Sequence, residues 1–388
     1  MHSLSFLIPL LMSIGLMAIL YRWATRTFPA LARRRRTVAL ALGGLIGGQL
    51  LMRAVVSHLH FGHLFETALI VVLMTLGFAA LPIGVLHVLV ALQQRVFRKR
   101  SAPVAAPPEG AMTRRQVVEA VGGAAFIGAT GSMLGWGAVR GRHAFEVVDL
   151  PVRIAGLPRA LDGYTIAQIS DIHTGTYVGE RELDEGLARV RSLRPDLIVV
   201  TGDLVDFDPA YAPLIARKLG ELTARDGVHA CLGNHDYYTG VDTVLATLRA
   251  AGVSVLVNEG RVIRARDGGG FALLGADDRW STRYGRSGAR LDPALAMVPD
   301  SAPRILLSHQ PDTVDHWPGK VALQLSGHTH GGQINPGFRP ADLILPYVAG
   351  LYRVGGTVLY VNRGFGTVGP PSRVGAPPEV TRIVLVSA

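Results

Sequence analysis

A chain of 388 residues with 39 Lys+Arg against 29 Asp+Glu carries a formal charge of +10, and that excess is unevenly spread. Residues 1–142 hold 15 basic against 3 acidic residues, whereas residues 143–388 hold 24 against 26, so the larger part lacks the basic surface that nucleic-acid binding requires. A single cysteine, Cys231, excludes an intrachain disulfide and, beside Leu232-Gly233-Asn234, reads as a buried structural thiol.

The front third reads as membrane helix. Residues 4–21 and 37–51, the latter continuing to 56, are apolar runs near the about 20 residues that span a bilayer. The next run, 64–92, contains Gly77 and Pro82 and is either one long tilted span or two short ones. Loop charge arbitrates. Arg22, Arg26 and Arg33 to Arg36 follow the first run; Arg95, Arg98, Lys99, Arg100, Arg114 and Arg115 follow the third; residues 55–63 contain no Lys or Arg. With both basic loops cytoplasmic, the second run leaves the cytoplasm and 64–92 returns as one crossing. His58, His60 and His63 then populate an interfacial loop.

Residues 101–109 are a Pro/Ala-rich linker. Thr113-Arg114-Arg115-Gln116 precedes a Gly- and Ala-rich apolar stretch, 120–139, which is either a fourth membrane helix or a twin-arginine-like export segment. Both carry residue 143 onward across the membrane. The expected division is 1–100 for a transmembrane region of about three spans, 101–142 for linker plus fourth helix or export segment, and 143–388 for a globular domain.

From residue 145 the pattern alternates. Strand signals at 146–154, 164–170 and 197–200 interleave with helical patterns over 181–191 and 211–223, which argues for a layered α/β architecture. Polar residues stand just past apolar strand-like runs: Asp171-Ile-His173 after 164–170, Gly202-Asp203 after 196–201, Gly233-Asn234-His235-Asp236 after 228–232, and His309 after 304–308. Ser326-Gly327-His328-Thr329-His330-Gly331-Gly332-Gln333 follows 321–325 in the same way. Active groups of α/β sheets gather at the carboxyl ends of strands, so this repeated placement points to one shared site. His328 and His330 sit on backbone freed by three glycines, which lets the chain fold tightly behind a pair of metal-ligating imidazoles. Nitrogen and oxygen donors without thiolate suit Mn, Fe, Zn, Co or Ni, and carboxylates are too few for an all-oxygen calcium site.

In that order, D-x-H, G-D, G-N-H-D, H and G-H-x-H, the chain resembles the calcineurin-like metallophosphoesterases over roughly its last 245 residues. The wording D-I-H-T-G and S-G-H-T-H-G-G-Q looks closest to a bacterial branch that includes membrane-associated phosphodiesterases and enzymes cleaving lipid-linked pyrophosphates. The resemblance implies a four-layer sandwich of two mixed sheets flanked by helices, here preceded by an all-α membrane region. It also implies two divalent ions, with Asp171, His173 and His330 on the first, Asn234, His309 and His328 on the second, and Asp203 bridging them. Hydrolysis would use a hydroxide held between the ions, and His235 would assist the leaving alkoxide. Asp206 or Asp236 would orient that imidazole, with Asp236 the favoured catalytic partner.

Specificity is expected outside these loops. Arg279, Trp280, Arg283, Tyr284 and Arg286 form a basic and aromatic cluster that either clamps a phosphate, stacks on a base, or is a solvated loop; Arg279, Arg283 and Arg363 are the candidate substrate-binding residues. The apolar run 343–352 reads as strand or core packing, with an acyl-chain contact as its alternative. The expected protein is a membrane-anchored hydrolase of a phosphodiester or pyrophosphate bond in a phosphorylated small molecule or lipid. It would lie in the bacterial inner membrane with its catalytic domain extracytoplasmic, with no nucleic-acid or obligate protein partner. The alternatives are an exported hydrolase of soluble nucleotides or phosphodiesters, and a non-catalytic membrane sensor; the second is disfavoured because a degenerate domain loses ligands and none is lost here.

Overall fold

The computed structural model describes residues 2–56, 63–97, 111–264 and 269–388; His58, His60 and the linker 101–109 lie outside the described residues. It divides into two compact units, Met1–Ala138 and Val139–Ala388.

The first unit is helical: α1 (His2–Thr27), the short α2 (Pro29–Arg33), α3 (Arg35–Val56), α4 (His63–Phe97) and α5 (Arg114–Val139). The 64–92 run is thus a single helix that continues through Pro82. Among the described residues, two helices are long and apolar enough to cross a membrane, with windows at Glu66–Gln93 and Arg114–His143. Small residues let the helices approach: Ala79 and Ala80 are fully buried against Met17 and Leu20, and a Cβ on Gly123 would lie 2.2 Å from the Trp23 ring. One buried charge sits among them. Glu119 accepts from Arg115 Nε at 2.8 Å and Thr27 Oγ1 at 3.0 Å, while its backbone carbonyl accepts from Trp23 Nε1, so α5 is tied to α1 by polar bonds as well as packing.

The second unit is built from two six-stranded sheets. The first contains β1 (Glu146–Ile154), β2 (Thr165–Ile169), β3 (Leu197–Thr201), β4 (Val228–Cys231), β5 (Ser254–Val255) and β12 (Glu379–Ser387), in the order β1-β12-β2-β3-β4-β5. The second contains β6 (Glu259–Arg264), β7 (Gly270–Gly275), β8 (Arg304–Leu307), β9 (Leu323–Ser326), β10 (Gly350–Val354) and β11 (Thr357–Val361), in the order β10-β11-β9-β8-β7-β6. Both are mixed. β2, β3, β4 and β5 run parallel, as do β7, β8, β9 and β11, while β12 is antiparallel to β2 and β6 to β7.

Alternation along the strands makes the layers. Leu197 and Val199 of β3 join Leu273, Ile305, Leu307, Leu323 and Leu325 in a core between the sheets. Ile198 and Val200, on the opposite face, pack under the helices α6 (Glu180–Leu193), α7 (Ala212–Gly220) and α8 (Asn234–Ala250). The outer face of the second sheet is covered at Leu274 and Leu306 by Ala294 of the short helix α9 (Asp292–Leu295) and by Leu291. This is the four-layer sandwich of two mixed sheets flanked by helices, preceded by a helical region.

Gly186 in α6 marks how tightly the helical layer fits, because a Cβ there would lie 2.2 Å from the Phe365 ring and 2.8 Å from Phe145, themselves edge-on at 4.7 Å. Helix propensity favours Ala over Gly by about 1 kcal/mol, yet overpacking two interlocked rings costs about 1–3 kcal/mol. Gly186→Ala is therefore expected to lower the thermal midpoint of the detergent-solubilised chain; an equal or higher midpoint would mean that the rings yield.

Candidate metal centre

Five parallel strands deliver the predicted donors. Asp171 and His173 follow β2, Asp203 follows β3, Asn234 and His235 open α8 just after β4, His309 follows β8, and His328 and His330 follow β9. The two sheets are fastened beneath them: Gln168 Nε2 in β2 donates to Ser326 O of β9 at 3.0 Å and to Thr201 Oγ1 of β3 at 3.1 Å.

Beyond the strand ends the chain turns sharply. Among the described residues, eight non-glycine residues have positive φ, and five of them are predicted donors: Asp171 (51°), His173 (50°), Asp203 (54°), His328 (76°) and His330 (51°). Left-handed backbone costs such residues of order 1–3 kcal/mol each and persists where the surroundings over-determine it. The over-determination is visible at Gly233, where a Cβ would lie 2.1 Å from Asp203 Oδ1, and at Gly327, where it would lie 2.1 Å from Asp171 Oδ2.

The donors meet in three overlapping groups, each with ligand atoms within 4.8 Å of one another: Asp171, His173 and His330; His173, Asp203 and His235; and Asp203, His309 and His328. His173 Nε2 faces His330 Nε2 at 3.0 Å, and His309 Nε2 faces His328 Nδ1 at 3.1 Å. Asp203 Oδ2 lies between the two pairs, 3.5 Å from His173 Nε2 and 3.2 Å from His309 Nε2. His309 Nδ1 is held by Thr201 O at 2.8 Å, which fixes the ring with Nε2 toward Asp203 and His328. The Asn234 Oδ1 is buried with no hydrogen-bond partner.

These groups fit divalent cations. Burial holds the His328 imidazole down at about 3, helped by the charge of His309, and burial with the charges of His173 and Arg373 holds His330 well below its ordinary value. Both rings are therefore neutral and able to give a lone pair. Burial raises Asp171, and the neighbouring Asp203 carboxylate adds to that, together outweighing the opposing charges of His309 and His173. Burial opposes ionisation of Asp203 as well, but His309 and His173 overcome it and hold it well below the carboxylate range. Facing imidazole nitrogens, an orphaned amide oxygen and crowded carboxylates are together the donor chemistry of a cation site.

The sequence profile of the calcineurin-like phosphoesterase family matches residues 164–332. The uncharacterized metallophosphoesterase YkuE of Bacillus subtilis is 34% identical over 291 residues, covering 71% of this chain and 98% of that protein. The chain belongs to the calcineurin-like metallophosphoesterases. It is also similar to proteins described as transmembrane protein with metallophosphoesterase domain, at 36% identity over 263 residues in Danio rerio and over 262 residues in Bos taurus. The matches cover 65% and 63% of this chain, which spans only 60% and 57% of those two proteins.

Around this family constellation, several side chains stand elsewhere than the sequence reading puts them. Asp236 does not face His235. Its Oδ2 accepts the backbone N–H groups of Asp203 at 3.0 Å and Gly233 at 2.9 Å, and its Oδ1 those of Leu204 at 2.9 Å and Val205 at 3.2 Å, so it braces the loops that carry the donors. The imidazole is oriented instead by Asp206, whose Oδ1 lies 3.1 Å from His235 Nδ1 and 3.4 Å from His173 Nδ1. Burial pulls the His235 pKa down, but its hydrogen bond to Asp206 and the charge of Asp203 outweigh this and raise it.

Arg363 is paired with carboxylates, with Nε 2.6 Å from Glu379 and Nη2 2.9 Å from Glu146. Arg279 is paired with Asp312 at 2.6 Å, and the Arg283 guanidinium lies over the Trp280 ring at 3.6 Å. Sequence reasoning missed Arg373, a fully buried guanidinium 3.2 Å from His330 Nδ1 that donates to three backbone carbonyls, and it missed Phe207 and Tyr238, whose rings flank His235 at 4.8 and 5.1 Å. None of the three lies in a strand-end motif.

The two aspartates should separate experimentally. Asp236→Ala strands four buried amides, at a cost of roughly 3–5 kcal/mol, and should lower the melting temperature by roughly 10 °C. Asp206→Asn should leave melting nearly unchanged while weakening divalent-metal affinity about 10- to 100-fold, because it supports His173 from behind. Thermal unfolding and metal titration on both variants check the assignment, which fails if their effects are exchanged.

Proposed function

We propose that the second unit is a dinuclear metal-dependent phosphoesterase that hydrolyses a phosphodiester or pyrophosphate bond in a membrane-proximal or lipid-linked substrate. The observation that carries this reading is the position of Asp203 Oδ2, within 3.5 Å of an imidazole from each of the two facing histidine pairs. Asp171, His173 and His330 would hold one cation, Asn234, His309 and His328 the other, and Asp203 would serve both. When bound, two divalent ions (Mn, Fe, Zn, Co or Ni) supply Lewis acidity that activates water and neutralises charge on the phosphoryl oxygens.

The chain's own residues supply the rest. His235, held at Nδ1 by Asp206, gives the proton on Nε2 to the departing oxygen as the P–O bond breaks and a water oxygen takes its place on phosphorus, so the leaving group departs as an alcohol, or as a phosphate with one negative charge fewer. Phe207 and Tyr238 pack against that side of the imidazole. Asp236 keeps the Asp203 loop in register with α8 through its four amide bonds.

Membrane placement is supported by the two membrane-long helices and by the transmembrane relatives. With the basic loops on the cytoplasmic face, we place the chain as a multi-pass protein of the bacterial inner membrane, of the branch that acts on diesters and lipid-linked pyrophosphates. Its catalytic unit is extracytoplasmic, behind a retained α5. A second reading, hydrolysis of a soluble nucleotide, is favoured by one feature: the Phe207 and Tyr238 rings are parallel within 8° at 6.3 Å beside His235, a surface on which a base could stack.

Purified full-length chain, stripped and reloaded with single metals, should hydrolyse an aryl phosphodiester or a lipid pyrophosphate only when loaded. His235→Ala should lower kcat roughly 10²- to 10⁴-fold while keeping its metal, and Asp203→Ala should lose activity and metal together. Activity that survives chelation, or that His235→Ala leaves unchanged, would sink the mechanism. The ratio of lipid pyrophosphate to nucleotide turnover decides between the two readings.

A further inference from the structure

The apolar run expected to form strand or core divides in two. Only Gly350–Val354 is strand, as β10; before it Val348 is buried and Tyr347 packs against the core, while residues 342–346 are exposed. Leu343 is 80% exposed, Ile344 81%, Leu345 40% and, a few residues earlier, Phe338 61%. Exposed apolar side chains are ordinary when single, but four within eight residues form a patch that asks for a partner.

This patch is built rather than loose. A 3-10 turn, Pro340–Leu343, folds the tip on itself, with the amides of Ile344 and Leu345 both donating to Ala341 O. Both ends are anchored on the metal loop. Asn335 Nδ2 donates to Gly331 O at 3.0 Å, and Thr329 Oγ1 donates to Val348 O at 2.5 Å, on either side of His330. The only charged residues between 334 and 349, Arg339 and Asp342, are paired with each other at 2.9 Å, so the tip presents no uncompensated charge. A protrusion that is apolar and charge-neutral can lay its side chains into the headgroup–acyl boundary while its backbone stays at the polar interface.

The same chain brings a bilayer within reach. Helix α5 is long and apolar enough to cross a membrane and ends at Val139, and β1 begins at Glu146. The six residues between them reach about 20 Å even when fully extended.

We propose that the loop tip, residues 336–346, is a bilayer-docking element that inserts Phe338, Leu343, Ile344 and Leu345 among lipid acyl chains and so opens the metal loop to substrates lying in the membrane. The substrate half of this inference rests on the hydrolase reading above; the contact with lipid does not.

The full chain in proteoliposomes tests both halves. Cys231 is buried, so an environment-sensitive fluorophore attached at Ile344→Cys reports on the tip alone. Its emission should shift to the blue and be quenched by acyl-chain nitroxide lipid at least about twofold more than the same label at Glu221→Cys, an exposed position on the same unit. Equal quenching of both labels by aqueous iodide with none by lipid would overturn the proposal. So would shielding of the tip from both quenchers, which would mean that protein covers it.

Leu343→Ser combined with Ile344→Ser should cut turnover of a lipid pyrophosphate about tenfold or more and leave that of a water-soluble aryl phosphodiester unchanged. Equal loss on both substrates, or loss on neither, refutes the access role. If the label enters lipid while the wild-type chain ignores lipid pyrophosphates, docking stands and the lipid-substrate reading alone falls.

Discussion

Asp203 can serve two groups of donors only if its carboxylate is held to within a fraction of an ångström, because its Oδ2 already stands within 3.5 Å of imidazoles that come from different sheets. The residue sits in left-handed backbone, a conformation that an isolated aspartate would leave. What keeps it there is Asp236, which accepts the amides of Asp203 and the two residues after it, and the close approach of Gly233, which leaves no space for a side chain. Removing either support would displace one carboxylate and disorganise both groups at once.

The same economy of space explains why the motif residues cluster at strand ends and nowhere else. A strand that has just left a close-packed sheet is rigid to its last hydrogen bond, so the first two or three residues beyond it are the most accurately placed positions in a loop. Gln168 joins the two sheets directly below the site, and Ser170 Oγ ties the end of β2 to Thr201 O at 3.0 Å, so the five strand ends cannot drift independently. Strain in the turns is tolerated because the sheets and their three apolar cores determine where those turns must go.

This division also sets how much could be read from sequence. Each of the seven expected donors follows an apolar run by a short distance, which made the positions stand out in sequence, and the structure brings the six histidines and aspartates among them into shared groups of possible ligand atoms. Arg373 lies in a loop with no periodicity of its own, so its position beside His330 depends on contacts far apart in sequence. Between Asp206 and Asp236 the sequence could not choose, because adjacency to His235 says nothing about direction: at the start of α8 the Asp236 side chain turns back toward Gly233 while the imidazole turns toward Asp206. The ion pairs of Arg363 were hidden for a related reason. A guanidinium at a strand end reads as a phosphate contact until the buried Glu379, sixteen positions away, is seen to hold it.

The charge asymmetry and the exposed tip belong to one argument. Fifteen basic residues in the first 142 are balanced by only three acidic ones, and many of them fall in the loops between apolar runs, where orientation in a bilayer is decided. The catalytic unit, with 24 basic and 26 acidic residues, has no such excess, so electrostatic attraction to anionic headgroups gives it little hold on a membrane surface. On the docking proposal, an apolar contact is then the means left to orient the site toward lipid. Its natural place is a loop anchored on the metal-binding turn itself, since any lever longer than that would let the donors and the bilayer surface move independently.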